Sequence, residues 1–295
     1  MAKILPRVLP WLPSAKDEAD QVTRVLGRSD TPALLAMLDE DPVTNIFLRA
    51  QLDQHRSAAP DSFAQIFAPK NPGELSNACW VGANIVPTAM HYTYAQAYAR
   101  RALATRQRFA SVFGPREAVM AMEPVLATGP QRIFDVRANQ PLMTIEDLSP
   151  VPPATTLRTA TLQDFDLVLP ASAAMFEEEL GYSPLESGGG YYRSRVRNML
   201  RQGHTFFDVD QYGEVIFKAD LGTVTAKATQ IQGVWINPRY RGQGLAAGYM
   251  SAVVNHALSF APVASLYVND YNTAAIRSYE RVGFRQIGTF ATILF

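Results

Sequence analysis

The stretch at residues 235–246, Trp-Ile-Asn-Pro-Arg-Tyr-Arg-Gly-Gln-Gly-Leu-Ala, narrows the folds open to this chain more than any other. It joins an apolar run at 231–236 to an amphipathic one at 245–260 through a basic turn in which Gly242 and Gly244 stand one residue apart. That pattern is a strand, a tight loop and a helix. Glycines have no Cβ to restrict φ or block close approach, so several backbone N–H groups can converge on one point. The first N–H groups of the helix have no partner inside it, and the helix dipole adds partial positive charge there. A phosphate or pyrophosphate is the natural guest. Arg239 and Arg241 bring full charges to the same turn. For a bare Gly-x-Gly the plain alternative is a turn whose glycines serve geometry alone.

Arg239, Gly242 and Gly244 fit the Arg/Gln-x-x-Gly-x-Gly/Ala signature, and the segment resembles that of the GNAT superfamily of acyl-CoA-dependent N-acetyltransferases. Pro238 sits where such proteins commonly end their fourth strand. Further on, 265–269 reads as a buried strand and 272–279 as a helix leading to Gly283-Phe284. The order Asn272, Tyr279, Gly283, Phe284 is similar to the other half of the signature. The two-part layout also resembles GNAT proteins in which an uncharacterised domain precedes the acetyltransferase domain.

The resemblance implies transfer of an acetyl group from acetyl-CoA, as co-substrate, to an amine by direct attack through a tetrahedral intermediate. It implies that the N–H groups of Gly242, Gln243, Gly244, Leu245 and Ala246, with Arg239 and Arg241, hold the pyrophosphate. The backbone of Val234, Trp235 and Ile236 would pair with the pantetheine amides. Asn272 would bind the cofactor, cap the following helix, or both. Tyr279 would protonate the departing thiolate; a phenol with a pKa near 10 is a neutral donor at pH 7. The plain reading of Tyr279 is an aromatic filling a helix–sheet gap.

Many family members carry a glutamate on the fourth strand, whereas this chain has Gln230, Ile231, Gln232 and Gly233 there. Glu178 is the candidate base, directly or through a water, with Glu177, Glu179 and Asp220 as candidates for binding the amine. Three acids in a row on a helix are also the pattern of a solvated face. Two other readings follow: a non-catalytic acyl-CoA-binding sensor, favoured by the missing strand carboxylate, and a transferase of a different acyl group. Nothing in the sequence chooses between a small-molecule and a protein acceptor.

At 295 residues the chain is long enough for two domains. Lys+Arg and Asp+Glu both number 27, so no global charge points to a nucleic-acid or membrane partner. His55, His91, His204 and His256 lack metal-ligand spacing, so no metal is expected. A lone Cys79 excludes an internal disulfide. The glycines are not followed by Lys-Ser/Thr, which argues against a nucleotide triphosphatase.

Residues 1–22 carry Pro6, Pro10 and Pro13 in a short apolar run, which reads as a loosely ordered start of a cytoplasmic protein. From Val22 the pattern turns helical, with strands expected at 63–67, 78–86, 132–136 and 142–145. Residues 23–146 are expected to form a non-catalytic, GNAT-like domain, whose would-be loop at 84–88 lacks both Gly-x-Gly and arginine. Residues 147–154 form a proline-rich linker, and 155–295 the acetyltransferase domain. The expected fold class is α/β of the α+β kind: a mixed, mostly antiparallel sheet flanked by helices, splayed between its fourth and fifth strands. A monomer or homodimer is expected.

Overall fold

The computed structural model describes residue 19, residues 21–71 and residues 75–295. The expectation of a loose start therefore lies almost wholly outside the described residues. The elements begin with β1 (Thr23–Val25), α1 (Thr31–Glu40), α2 (Ile46–His55), β2 (Gln65–Pro69), β3 (Cys79–Val81) and β4 (Asn84–Pro87). There follow α3 (Tyr92–Ala104), β5 (Ser111–Pro115), α4 (Arg116–Leu126), β6 (Asp135–Ile145), β7 (Arg158–Thr159), α5 (Phe165–Leu180) and α6 (Gly190–Arg201). The rest are β8 (Thr205–Val209), β9 (Val215–Val224), β10 (Thr229–Ile236), α7 (Leu245–Phe260), β11 (Ala264–Tyr267), α8 (Thr273–Val282) and β12 (Arg285–Leu294).

The chain forms two compact units, both discontinuous in sequence. One gathers the described residues before Leu38 with His55–Ala138 and Ala291–Phe295; the other consists of Leu38–Gln54 and Asn139–Phe290. A cut at the proline-rich segment would leave each piece continuous, but burial decides otherwise. Val43 and Ile46 bury against Leu142, Ala228 and Phe290. Ala291 and Ile293 bury with Phe67, Tyr98 and Val112. Each such large apolar side chain contributes about 1.5–3 kcal/mol on leaving water.

In the first unit β1, β2, β3 and β4 pair antiparallel in sequence order, and β5 joins β4 in parallel. Three expectations need correction. The helical pattern after Val22 is preceded by the short strand β1, because Thr23, Arg24 and Val25 find partners on β2. The run 78–86 is a hairpin rather than one strand. It breaks at Gly82, where a Cβ would stand 3.0 Å from the Trp80 indole nitrogen and 3.1 Å from Ala64 Cβ. The would-be loop at 84–88 is consequently mostly β4. The two strands expected between 132 and 145 are the single strand β6, which Pro141 does not end.

In the second unit the sheet order is β6, β11, β10, β9, β8, β7. All of these neighbours are antiparallel except β10 and β11, which are parallel. Their pairing covers only Thr229↔Ala264 and Gln230↔Ser265. The remaining six residues of β10 have no partner on β11, so the sheet opens there as expected.

Two cores flank this sheet. On one face Phe217, Ala219 and Leu221 pack with Met250, Val253 and Val254 of α7 and with Tyr279 and Val282 of α8. On the other, Phe207, Val215 and Trp235 pack with Val168 and Leu169 of α5 and Val196 and Leu200 of α6. Strand alternation places Lys218 and Asp220 on this second face.

Candidate active site

β10 delivers the chain into a single 3-10 turn at Pro238–Tyr240, capped by the Asn237 side chain. Gly242 and Gly244 follow with φ of 74° and 75°, in the left-handed region that favours glycine. A Cβ at either position would meet nothing within 4 Å. Gly244 is the N-cap of α7 and supplies no side-chain cap. The first N–H groups of α7, from Leu245 and Ala246 onward, thus have no side-chain cap and open space before them, with the positive end of a 16-residue helix behind.

The two arginines of the turn go separate ways. Arg239 is largely exposed and its Nη1 lies 2.8 Å from Glu214 Oε2. Arg241 donates from Nε to the Ile236 carbonyl at 2.9 Å and from Nη2 to Glu178 at 2.9 and 2.7 Å. The Trp235 indole donates to the same Glu178 carboxylate at 3.0 Å. Gln243 donates from Nε2 to the Arg239 carbonyl at 3.3 Å.

Glu177, Glu178 and Glu179 occupy the exposed last turn of α5, before Gly181 ends it in the left-handed conformation. Carboxylates at a helix C-terminus oppose the helix dipole. Arg241 offsets that cost for Glu178.

β10 carries a bulge. Its register with β9 runs Gln232↔Asp220 and then jumps to Trp235↔Lys218, leaving Gly233 and Val234 without partners on that strand. Gly233 has φ of 59°. A bulge of this kind re-aims the backbone locally. Val234 and Ile236 pack on the α7 face while the Trp235 side chain lies on the α5 face. Of these three residues, then, only Val234 and Ile236 direct side chains to the face that carries the cradle helix.

Tyr279 is buried against Phe284, ring centroids 6.0 Å apart. Its hydroxyl has no hydrogen-bond partner among the described residues. Burial, and then the Glu179 carboxylate, push its pKa up from the ordinary value, so it remains a neutral donor. Asn272 accepts from the Ala275 N–H at 3.2 Å and caps α8.

Three residues that sequence reading passed over belong to the same region. Tyr192 on α6 donates to the Ser172 carbonyl at 2.7 Å. Burial, with Asp220 and Glu179 adding to it and Arg195 opposing, pushes its pKa up to about 12. Lys218 is almost fully buried and ion-paired with Asp220. Asp220 also accepts from Thr205 Oγ1 at 2.7 Å. Met175 of α5 brings its sulfur to the position 3.2 Å from a Cβ placed on Gly233. The one available signal was a lysine and an aspartate two residues apart, Lys218 and Asp220, in an otherwise apolar strand, Val215 to Leu221. Glu179 thus adds to the raised pKa of both Tyr192 and Tyr279, whereas Glu178 is held by Arg241 and Trp235 at the glycine turn.

No group of His, Cys, Asp and Glu suited to a metal ion occurs among the described residues. No helix among them is long and apolar enough to cross a membrane. Cys79 is fully buried and its thiol pKa is pushed up by burial. His256 stacks on Phe206 at 4.6 Å.

The mixed, mostly antiparallel sheet with its flanking helices matches the GNAT fold. Residues 173–284 match the family described as "Acetyltransferase (GNAT) family", so the second part of the chain carries a domain of that family. Residues 64–168 match one described as "Domain of unknown function (DUF4081)". A 68-residue segment is 35% identical to Peptidyl-lysine N-acetyltransferase YjaB of Salmonella typhimurium, covering 23% of this chain and 44% of that protein's length. Among solved structures, a GNAT-family acetyltransferase from Colwellia psychrerythraea aligns with a TM-score of 0.58 at 12% identity, over 92% of this chain and 99% of the other. A tandem GNAT protein from the clavulanic acid biosynthesis pathway aligns with a TM-score of 0.53 at 14% identity, over 92% and 97%. At these identities the likeness establishes the fold.

Proposed function

We propose that the second part of the chain, residues 155–295, is an N-acetyltransferase that moves an acetyl group from acetyl-CoA to an amine. The observation that carries this reading is the uncapped start of α7, where open space stands in place of side chains at Gly242 and Gly244. A tightly curved run of unpaired N–H groups at a helix start suits a pyrophosphate and little else.

On this reading the N–H groups of Gly242 to Ala246 hold the pyrophosphate, and Arg241 leaves Glu178 to join them. Arg239 and Gln243 line the turn, and Asn272 serves α8 as cap and the cofactor as neighbour. The opening beside Val234, Trp235 and Ile236 receives the pantetheine arm along their backbone. The amine nitrogen attacks the thioester carbonyl carbon, the C–S bond breaks, and the Tyr279 hydroxyl gives its proton to the sulfur. Glu178, freed from Arg241, takes the proton the amine loses. Glu177 and Glu179 attract the amine, while Asp220 is taken up by Lys218 and Thr205. The N-terminal domain, residues 23–146, is non-catalytic.

The test is calorimetric titration of acetyl-CoA and CoA into the wild type and Gly244→Glu, with thiol release followed against a panel of amines. Binding confined to the wild type, with amine-dependent thiol release, is the expected result. Binding without amine-dependent release would favour a sensor of acyl-CoA, and absence of binding would overturn the reading.

A further inference from the structure

We propose that Lys218 is a positioning residue for the thioester carbonyl, acting through the peptide that joins Gly233 to Val234. This rests on the transferase reading and adds to it a residue from β9, the antiparallel neighbour of β10.

Lys218 is 1% exposed as a residue, an uncommon place for a charge, and its partner Asp220 is 9% exposed. The pair lies directly beneath the β10 bulge. A Cβ placed on Gly233 would stand 2.9 Å from Asp220 Oδ2 and 3.1 Å from Lys218 Nζ. Lys218 Nζ also lies 3.5 Å from the Gly233 carbonyl oxygen, the outer limit of a hydrogen bond. Thr205 holds the second Asp220 oxygen, so the carboxylate is fixed from both sides.

The consequence follows from peptide geometry. The carbonyl of Gly233 and the N–H of Val234 belong to one planar trans unit and point in opposite directions. Drawing the carbonyl toward Lys218, on the α5 face, turns the Val234 N–H away from it. Neither residue has a ladder partner on β9, and β11 has already diverged. The Val234 N–H is thereby presented, unpaired, at the opening where the acyl carbonyl would sit. A donor fixed before the reaction stabilises developing oxyanion charge without reorganisation. A buried ion pair costs desolvation, and a bulge set by it is what that cost secures.

Removing only one ion strands the other in the interior, so the informative variant is Lys218→Met/Asp220→Leu, with Lys218→Arg as the conservative partner. The Val234 amide resonance is compared between acetyl-CoA-bound and CoA-bound protein, alongside steady-state rates. We expect a shift between the two complexes in the wild type, its loss in the double variant, and its partial retention in Lys218→Arg. We expect kcat to fall by about tenfold to a hundredfold in the double variant, with the acetyl-CoA KM changed by less than about threefold.

A wild-type amide that does not distinguish acetyl-CoA from CoA overturns the inference, as does a double variant with unchanged kcat or an unchanged amide shift. If acetyl-CoA does not bind the wild type at all, the transferase reading itself falls. The two failures are therefore separable.

Discussion

One guanidinium nitrogen of Arg241 sits between both carboxylate oxygens of Glu178, at 2.9 and 2.7 Å, across 63 residues of sequence. The contact ties the glycine turn proposed to hold the pyrophosphate to the last turn of α5. Both side chains are nearly half exposed, at 47% and 43%, so the pair is worth at most about 1 kcal/mol.

Glu178→Gln is therefore expected to tighten CoA binding modestly, by about threefold at low ionic strength, because it frees Arg241 and removes a negative charge beside the phosphate site. Arg241→Ala is expected to weaken binding. Titration of CoA into both variants checks this, and added salt should shrink both effects. The same Glu178→Gln protein is expected to lose at least about a hundredfold in kcat if its carboxylate is the base.

Tyr279→Phe is expected to leave the melting temperature unchanged or slightly raised, since the lost hydroxyl has no partner to abandon. Turnover is expected to fall by about tenfold or more while acetyl-CoA affinity holds. Burial and Glu179 raise the Tyr279 pKa, so its proton is retained well into alkaline pH. The alkaline limb of kcat is expected above the ordinary tyrosine range of about 10. A limb below that range would assign the proton to another group.

Acid stability is expected to track Asp164. Arg158 beside it, then the backbone and side chain of Thr161, hold its pKa down to about 2, despite the opposing effect of burial. A depressed folded-state pKa gives stability that is present above the unfolded value near 4 and lost as pH falls toward 2. With Arg158 half exposed, the contribution is about 1 kcal/mol. Asp164→Asn is expected to flatten that part of the acid limb in chemical denaturation series. An unchanged limb would remove Asp164 from the set of groups that anchor α5.

Asn272→Ala is expected to cost about 1 kcal/mol of stability through loss of the α8 cap, while Asn272→Asp preserves it. CoA affinity measured on the same two variants separates the roles. A cap alone predicts unchanged binding in Asn272→Asp, whereas a side-chain amide contact predicts a loss in both.

The glycine turn was legible because its conformation is local. Gly242, Gly244 and the apolar periodicity on either side lie within one short segment, and left-handed φ values follow from residue type. The break of the 78–86 run at Gly82 was not legible, because it answers to Phe63 and Ala64, which come from another strand's approach. Glu178 and Glu179 looked alike as neighbours in a run of acids. Helix geometry turns adjacent residues about 100° apart, and only Glu178 reaches Arg241 and Trp235.

The amino-acid sequence by itself determined the GNAT-type second part, the left-handed glycine turn before α7, and the tyrosine on α8, because each depends on backbone freedom or periodicity over a few residues. Only the tertiary structure decided that Lys218 and Asp220 lie under Gly233, that Arg241 rests on Glu178, and that 38–54 and 291–295 join compact units other than those their chain positions suggest. Those outcomes depend on which distant surfaces bury together and on how charges removed from water find partners. Burial and pairing are properties of three-dimensional neighbours rather than of chain order.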